Sequence, residues 1–254
     1  MCTLILAWQV FDDPPIAAAA NRDEALGRPS SSPGVLDRDP TVVAPRDEEA
    51  DGTWIGYNDA GLFVGVTNRS SDTEGERSRG LLVRDALAQS SAAEASSVVR
   101  TELADREYAG FNLVLADTEE AGLLEWDSVL RTTHFDPGVH VVVNEGLDGA
   151  ASKASRIQEA ARATPEMTVE AWLDRAGEVL RDHDLEACVH GEGYGTRSSS
   201  LVAISVDGGG RYWFADGKPC ETDYELVAAK DADDGRADES GAGETSLDGE
   251  DGHI

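Results

Sequence analysis

The chain has 254 residues, with 50 acidic against 21 basic side chains and a formal net charge of −29. A field of this sign repels phosphate and excludes nucleic-acid binding through a general basic surface. No apolar run reaches the roughly 18 to 20 residues that span a bilayer, and residues 1–13 lack the cationic start of a signal peptide, so we expect a cytoplasmic protein without membrane insertion.

Composition divides the chain into two parts. Residues 230–254 are acidic, rich in glycine and almost without large apolar side chains. They cannot bury enough surface to offset the entropy of ordering, so we expect a disordered acidic tail. Residues 1–229 contain no linker or internal repeat and are predicted to form one domain. Their acidic excess and scarcity of lysine are typical of a halophilic protein that high salt keeps soluble; an ordinary acidic protein is the alternative.

The first half of the domain is predicted to consist of strands followed by two helices. Short β-like runs bounded by Gly, Pro, Asn and Asp occur at residues 3–10, 16–20, 41–44, 54–57 and 62–67. The apolar segment 80–89 is predicted to be the first helix. A capping box at Ser91-Ala92-Ala93-Glu94 opens a second helix that runs to about Asp105.

The second half repeats this order. Strands are predicted at residues 111–116, 122–126, 129–133 and 139–143, helices at 151–163 and 169–183, and strands at 200–206, 211–215 and 222–227. Blocks of strands joined by hairpin-length links, alternating with blocks of helices, indicate antiparallel sheets with helices packed outside rather than βαβ crossovers. The sequence therefore predicts an α+β layered architecture.

Cys2 is the first candidate for chemistry. If Met1 is removed, Cys2 carries both a thiol and an α-amine, whose ordinary pKa of about 7.7 to 8.0 suits it to act as the base for the thiol. Cysteine is also a common small buried residue, and position alone favours this second interpretation. Cys188 and Cys220 complete an odd set without a C-x-x-C motif, which argues against a disulfide framework and a cysteine-based zinc site.

The second candidate is Asn21-Arg22-Asp23-Glu24, directly after the apolar run 16–20. A polar cluster at a strand end is usually a solvated turn. If this strand instead forms a hairpin with the strand of Cys2, Arg22 and Asp23 reach the same end of the sheet. Asp23 could then orient the α-amine, and Arg22 could hold the thiolate or a substrate carboxylate.

Asparagine and arginine residues at other strand ends form a third group. Asn68, Asn144 and Arg197 lie at such ends, where an Asn amide can hold a developing oxyanion or form an ordinary turn. Other motifs are weaker. The five histidines have no metal-ligand spacing, so no metal site is predicted. The glycines of 191–195 lack the strand, helix and lysine of a phosphate loop, and the serines of 198–200 lack the G-x-S-x-G elbow of a serine hydrolase.

Several motifs occur in a fixed order over residues 1–225. They are Met1-Cys2-Thr3, Asn21-Arg22-Asp23-Glu24, Gly52-Thr53-Trp54-Ile55-Gly56, Thr67-Asn68, Arg77-Ser78-Arg79-Gly80, Gly110-Phe111-Asn112-Leu113, Asn144 and Gly193-Tyr194-Gly195-Thr196-Arg197. In this order they resemble the NRDE family, which includes the transport and Golgi organization protein 2 homologues. That family is similar to the N-terminal-nucleophile (Ntn) hydrolases, among them the cysteine acylases of penicillin V and conjugated bile salts. The resemblance implies a four-layer αββα sandwich of two antiparallel sheets.

The resemblance also implies catalytic roles. Cys2 would be the nucleophile and Asp23 the carboxylate that orients its amine. Asn144, with Asn68, would donate to the oxyanion, and Arg197 would stabilise the charge of the site.

Substrate contacts follow from the same resemblance. Asn21, Arg22, Asn68 and Trp54 would contact the substrate. The acylases carry an arginine three residues before their aspartate, where this chain has Ala20. Arg22 is instead adjacent to Asp23, and because neighbouring residues of a strand point to opposite faces, the two side chains are expected on opposite faces of the sheet.

The function implied is an Ntn-type cysteine amidohydrolase or acyltransferase acting on a non-peptide amide. It would need no metal or organic cofactor, and its partner would be a small-molecule amide or acyl ligand. Because family members have been associated with lipid, acyl-CoA and haem handling, the alternative is a non-catalytic haem or acyl-CoA/lipid binding and trafficking protein. Haem would then be the cofactor, although the sequence marks none of the histidines as its axial ligand.

Overall fold

The computed structural model describes residues 2–229, so the predicted tail at 230–254 lies outside the described residues. The strands are β1 (Thr3–Trp8), β2 (Ile16–Ala25), β3 (Ser30–Arg38), β4 (Thr41–Asp47), β5 (Ile55–Asn58), β6 (Phe63–Asn68), β7 (Phe111–Ala116), β8 (Ala121–Trp126), β9 (Leu130–His134), β10 (Gly138–Val143), β11 (Gly146–Leu147), β12 (Tyr194–Ile204), β13 (Gly210–Ala215) and β14 (Glu225–Ala229). The helices are α1 (Arg79–Leu87), α2 (Ala92–Asp105), α3 (Ser152–Ala160) and α4 (Val169–Arg181).

The strands form two antiparallel seven-stranded sheets. The first sheet has the order β11-β10-β1-β2-β12-β13-β14, so the strand that begins next to Cys2 lies inside the sheet, between β10 and the central strand β2. The second sheet runs β3 to β9 in chain order. Every pairing is antiparallel, both in the hairpins, such as β1 with β2, and between strands far apart in the chain, such as β1 with β10.

Alternation along the strands divides the apolar side chains among three cores. Leu4, Leu6 and Ile16 point between the two sheets, where they meet Phe63 and Val114 of the second sheet. The opposite face of the first sheet packs on α3 and α4, and the outer face of the second sheet packs on α1 and α2. The layers are therefore helix, sheet, sheet and helix, which confirms the predicted αββα sandwich.

Three of the four helices named above begin with a side-chain cap. The Ser78, Ser91 and Thr168 side chains accept hydrogen bonds from backbone N–H groups in the first turns of α1, α2 and α4, which satisfies donors that have no partner within the helix. Trp172, fully buried, anchors α4 on the first sheet and donates its indole N–H to the Ala161 carbonyl at 2.9 Å. No helix within residues 2–229 is long and apolar enough to cross a membrane.

Two differences from the predicted elements matter for the site. The edge strand β3 was not predicted, because its serines, proline and glycine have low β-propensity, and it pairs with β4 through two irregularities. β12 starts six residues before the predicted 200, because its polar beginning is held by pairing with β2. This extension brings Thr196 opposite Asp23.

Candidate active site

Cys2 directly precedes β1, which pairs with β2 on one side and β10 on the other. The register pairs Thr3 with Asn21 of β2 and with Val143 of β10. Continuing both pairings by one residue sets Cys2 between Arg22 on one side and Asn144 on the other. The predicted hairpin between the Cys2 strand and the Asn21–Glu24 strand is confirmed.

The Cys2 thiol faces the space between the two sheets. It lines a cavity of about 50 Å³ whose wall includes Arg22, Trp54, Thr67 and Asn68. Burial raises the pKa of the thiol, and the nearby Asp23 carboxylate raises it further. Backbone hydrogen bonds at Asp23 and Asn68 lower it. The net direction is upward, so in this environment the thiol is mostly protonated at neutral pH.

Arg22 supplies a buried positive charge beside this cavity. Its guanidinium lies 4.1 Å from the centre of the Trp54 ring and donates to Asp47 Oδ2 at 3.0 Å. The side chain is 5% exposed; burial lowers its pKa, and the Asp47 carboxylate opposes that shift. Arg28 Nε also donates to Asp47 Oδ2, at 2.7 Å. Because Arg22 and Asp23 point to opposite faces of β2 as expected, it is Arg22 that shares the inter-sheet face with the thiol.

Asp23 lies on the helix-facing side of the first sheet. Its Oδ1 accepts a hydrogen bond of 2.6 Å from the Thr196 hydroxyl, and burial raises the pKa of the carboxyl. Lys153 of α3 is 6% exposed, and its Nζ has no hydrogen-bond partner among residues 2–229. Burial lowers the pKa of Lys153, and the negative charges of Asp23 and Cys2 are among the influences that raise it. The Lys153 amine therefore lies buried on α3, where the charges of Asp23 and Cys2 act on it.

The three asparagines close to the Cys2 segment differ in their contacts. Asn68, in the cavity wall, forms a backbone hydrogen bond with Cys2. The Asn144 side-chain Oδ1 is buried without a hydrogen-bond partner among the described residues. Asn112 of β7, fully buried, donates to Val143 O at 2.9 Å and to Thr67 Oγ1 at 3.1 Å. It therefore clamps the two sheets together beside the row that holds Asn144 and Cys2.

The side chains of two predicted site residues make their contacts away from the thiol, although Asn21 itself belongs to the cavity wall. Asn21 donates from Nδ2 to the Leu180 and Ala187 carbonyls, each at 2.8 Å, and so fixes the end of α4 to β2. Arg197 lies at a bulge in β12, with Nη1 3.6 Å from Asp216 Oδ1. Within residues 2–229, Arg197 is not part of the cavity wall.

Lys153 and Arg79 are charged residues near the thiol that the sequence did not single out. Arg79 begins α1 and donates to Gly110 O at 2.8 Å. Burial lowers its pKa, and the Cys2 thiolate is the leading charge that opposes this shift. A signal existed for both: Arg79 belongs to the Arg77-Ser78-Arg79-Gly80 motif, and Lys153 is one of only three lysines.

The fold also assembles metal-ligating side chains that the sequence separates. His183, Cys188, His190 and Cys220 present ligand atoms within 4.8 Å of one another, on the loops that follow α4 and β13. The spacing argument against a metal site, which considered histidines and cysteines along the chain, did not anticipate this cluster.

Comparison with known families identifies the chain. The sequence model of the family "Transport and Golgi organisation 2" matches residues 1–216. The chain belongs to this family. No curated protein matches the sequence at a significant level. The match confirms the resemblance found in the motifs. The matched segment of this transport and Golgi organisation 2 family member includes Cys2, Asp23, Asn144 and Arg197.

Solved structures confirm the fold of this family member. Penicillin V acylase from Agrobacterium tumefaciens is similar with a TM-score of 0.56 and 14% identity, over 85% of this chain and 83% of that chain. The N-acylethanolamine-hydrolyzing acid amidase ortholog of Caenorhabditis elegans has a TM-score of 0.55 and 14% identity, over 82% of this chain and 93% of that chain. A variant of conjugated bile acid hydrolase from Clostridium perfringens has a TM-score of 0.51 and 11% identity, over 85% of this chain and 89% of that chain. At these identities the similarity establishes an Ntn-hydrolase fold.

Proposed function

We propose that this protein is an Ntn-type cysteine amidohydrolase or acyltransferase that acts on a non-peptide amide. The observation that carries the proposal is the position of Cys2, in the cavity between the sheets with Arg22 beside it. The structural neighbours that act on amides, an acylase and an amidase by name, share the fold and support it.

The proposed reaction requires Met1 to be removed. Cys2 then carries an α-amine, which takes the thiol proton as the sulfur attacks the amide carbonyl. The C–S bond forms, the C–N bond breaks, and the amine leaves with the proton. Water, or a second amine in the transferase reaction, then attacks the acyl-enzyme and restores the thiol.

The surrounding charges suit this reaction. The backbone of Asn68, together with the Asn144 amide, would donate to the oxyanion, a type of contact worth about 2.7 to 4 kcal/mol of barrier. Asp23, held by Thr196, would orient the α-amine. The positive charges of Arg22 and Lys153 lie on the two faces of the same sheet and favour the thiolate over the thiol.

The size of the cavity limits the substrate. A volume of about 50 Å³ is far below the roughly 300 to 1,000 Å³ of a pocket that encloses a drug-sized ligand. Only the carbonyl and a small part of the acyl group would enter, while the leaving amine remains outside. Nothing observed near Cys2 within residues 2–229 favours the haem or acyl-CoA carrier, which stays a prediction.

The test compares two forms of the chain that differ only at the start. One form is produced with an N-terminal extension that a protease removes to leave Cys2 first; its uncleaved form is the matched control, because it keeps the thiol and lacks the α-amine. Both are incubated in high salt with a panel of small N-acyl amides, and amine release is measured. We expect turnover only after cleavage, and loss of turnover in Cys2→Ser and Cys2→Ala.

Alkylation of the same samples gives a readout that needs no substrate. The ammonium that cleavage creates beside the sulfur favours the thiolate, so Cys2 should react faster at neutral pH in the cleaved form. Equal labelling rates at Cys2 in the two forms, together with turnover that survives Cys2→Ala, would rule out the proposed mechanism.

A further inference from the structure

Four side chains form a compact cluster on the helix side of the first sheet. Cys188 Sγ lies 3.4 Å from Cys220 Sγ, and His190 Nε2 lies 3.1 Å from Cys220 Sγ and 3.6 Å from Cys188 Sγ. The His183 ring packs edge-on against His190 at 4.7 Å between centroids, and all four ligand atoms lie within 4.8 Å of one another. Four soft or borderline ligands therefore surround one point.

These separations match a tetrahedral metal centre. Bonds of about 2.3 Å to sulfur and 2.0 to 2.1 Å to nitrogen place the ligand atoms of a tetrahedral zinc site roughly 3.3 to 3.8 Å apart. The cysteine sulfurs and the His190 nitrogen already lie in or near this range. A small movement of the exposed His183 ring would complete the set.

The second nitrogen of each histidine lies near an acceptor of the kind that metal ligands use, within hydrogen-bond distance for His183 and at a longer ion-pair distance for His190. His183 Nδ1 lies 3.2 Å from the Cys188 carbonyl, so it donates its proton there and leaves Nε2 free to bind. His190 Nδ1 lies 3.8 Å from Glu221 Oε1, while its Nε2 faces the sulfurs. A carbonyl or carboxylate behind the ligating ring fixes its tautomer and orientation.

We propose that His183, Cys188, His190 and Cys220 bind one zinc ion as a structural Cys2His2 site. Two thiolates with two imidazoles suit zinc, and four protein ligands leave no open position for substrate. Binding releases the two thiol protons to solvent, and the metal keeps its oxidation state. The ligands of this site follow the spacing H-x4-C-x-H-x29-C. The sequence did not reveal the site because β12 and β13 separate the two cysteines.

The position of the cluster connects it to the site of Cys2. Val189, between two of the ligands, donates its N–H to Thr196 Oγ1 at 2.8 Å and accepts from Thr196 N at 2.9 Å. Thr196 in turn donates to Asp23. Zinc would therefore hold the loop that fixes Thr196 and, through it, the orientation of Asp23. The metal site does not depend on the proposed amidohydrolase activity.

The rival state is a disulfide between Cys188 and Cys220, since their sulfurs are close and both cysteines are free in this structure. The two states differ in measurable ways. A disulfide lowers the intact mass by two hydrogens and removes both thiols from alkylation, whereas zinc leaves the thiols recoverable once a chelator is added.

The experiment uses the full chain, purified without a histidine tag or chelator and dialysed into metal-free high-salt buffer. Metal analysis should find about one zinc per chain, and Cys220→Ser and His190→Gln should each lose it. Cobalt added to the zinc-free protein should give the visible absorption of a tetrahedral site and a thiolate-to-cobalt charge-transfer band. Chelation should lower the melting temperature of the wild-type protein and leave that of Cys220→Ser unchanged.

Two further variants keep the result interpretable. Glu221→Gln alters an exposed residue that would not unfold the chain, removes the negative charge 3.8 Å from His190 Nδ1, and should weaken zinc binding by about 10-fold. His134→Gln replaces an exposed histidine of β9 outside the cluster and should bind zinc as the wild type does. Zinc retention that is equal in all variants would mean adventitious binding to the acidic surface, and a Cys188–Cys220 disulfide in freshly prepared protein would equally overturn the proposal.

Discussion

Replacement of Asp47 by asparagine tests whether Arg22 depends on its carboxylate partner. Asp47 accepts from Arg22 Nη2 at 3.0 Å and Arg28 Nε at 2.7 Å through Oδ2, and from the Glu49 and Ala50 N–H groups through Oδ1. Asparagine keeps the Oδ1 acceptor, so the turn survives. It removes the negative charge and turns an NH2 group toward two guanidinium groups.

The magnitude follows from the burial of each partner. Hydrogen bonds to charged groups contribute about 1.5 to 3 kcal/mol when buried, and this applies to Arg22, whose side chain is 5% exposed. Arg28 is 26% exposed, so its contact is screened and worth about 0.5 to 1 kcal/mol. Together they predict a loss of about 2 to 4 kcal/mol, in line with the cost of leaving a buried charge without its partner.

The assay is urea unfolding at constant high salt, with the free energy of unfolding extrapolated to water. Asp51→Asn is the matched control. It removes a carboxylate that is 58% exposed and pairs with the half-exposed Arg46 and, at 3.7 Å, with Arg84. Asparagine tolerates the positive φ of 58° at that position. We expect a change below about 1 kcal/mol there. If Asp47→Asn cost no more than Asp51→Asn, the inference that Arg22 is a buried, carboxylate-dependent charge would be wrong.

Three other predictions follow from contacts away from Cys2. Asn58→Ala should cost about 3 kcal/mol in urea unfolding, because this fully buried amide bonds four backbone groups around the β5–β6 turn and the end of α1; a loss below about 1 kcal/mol would contradict it. Gly210→Ala should lower the free energy of unfolding by about 1 to 3 kcal/mol, because the added Cβ would collide with the Tyr57 ring. Adding Tyr57→Leu to the Gly210→Ala protein should recover part of that loss. Burial lowers the pKa of His140, but hydrogen bonds to the Asp148 carboxylate and a backbone carbonyl outweigh this effect and raise it. This stabilisation is present below the unfolded pKa of about 6.5 and disappears as pH rises through the folded value, so Asp148→Asn should destabilise the protein at low pH and should lower the His140 pKa in an NMR titration; an unchanged His140 titration would contradict this.

Local patterns in the sequence were sufficient for the elements and the sheet that carries the candidate nucleophile. The apolar runs of β1 and β2, joined by a turn rich in Asp and Pro, predicted the hairpin that pairs Thr3 with Asn21. The capping serine of α2 fixed the start of that helix. These features depend on residues that are close in the chain, so the sequence reveals them directly. The prediction failed where tertiary pairing overrides weak local propensity, as at β3 and the first half of β12.

Contacts between distant segments were decided only by the tertiary structure. Asp47 meets Arg22 because β4 of one sheet lies over β2 of the other, and Lys153 approaches Asp23 because α3 packs on the first sheet. Cys220 lies beside the three ligands that follow α4 because β12 and β13 form an antiparallel hairpin. This hairpin returns the chain to the end of the sheet at which β12 begins. The sequence determined the layers and the candidate nucleophile at Cys2. The charges around it and the metal cluster depend on how the layers pack, which no spacing along a single chain encodes.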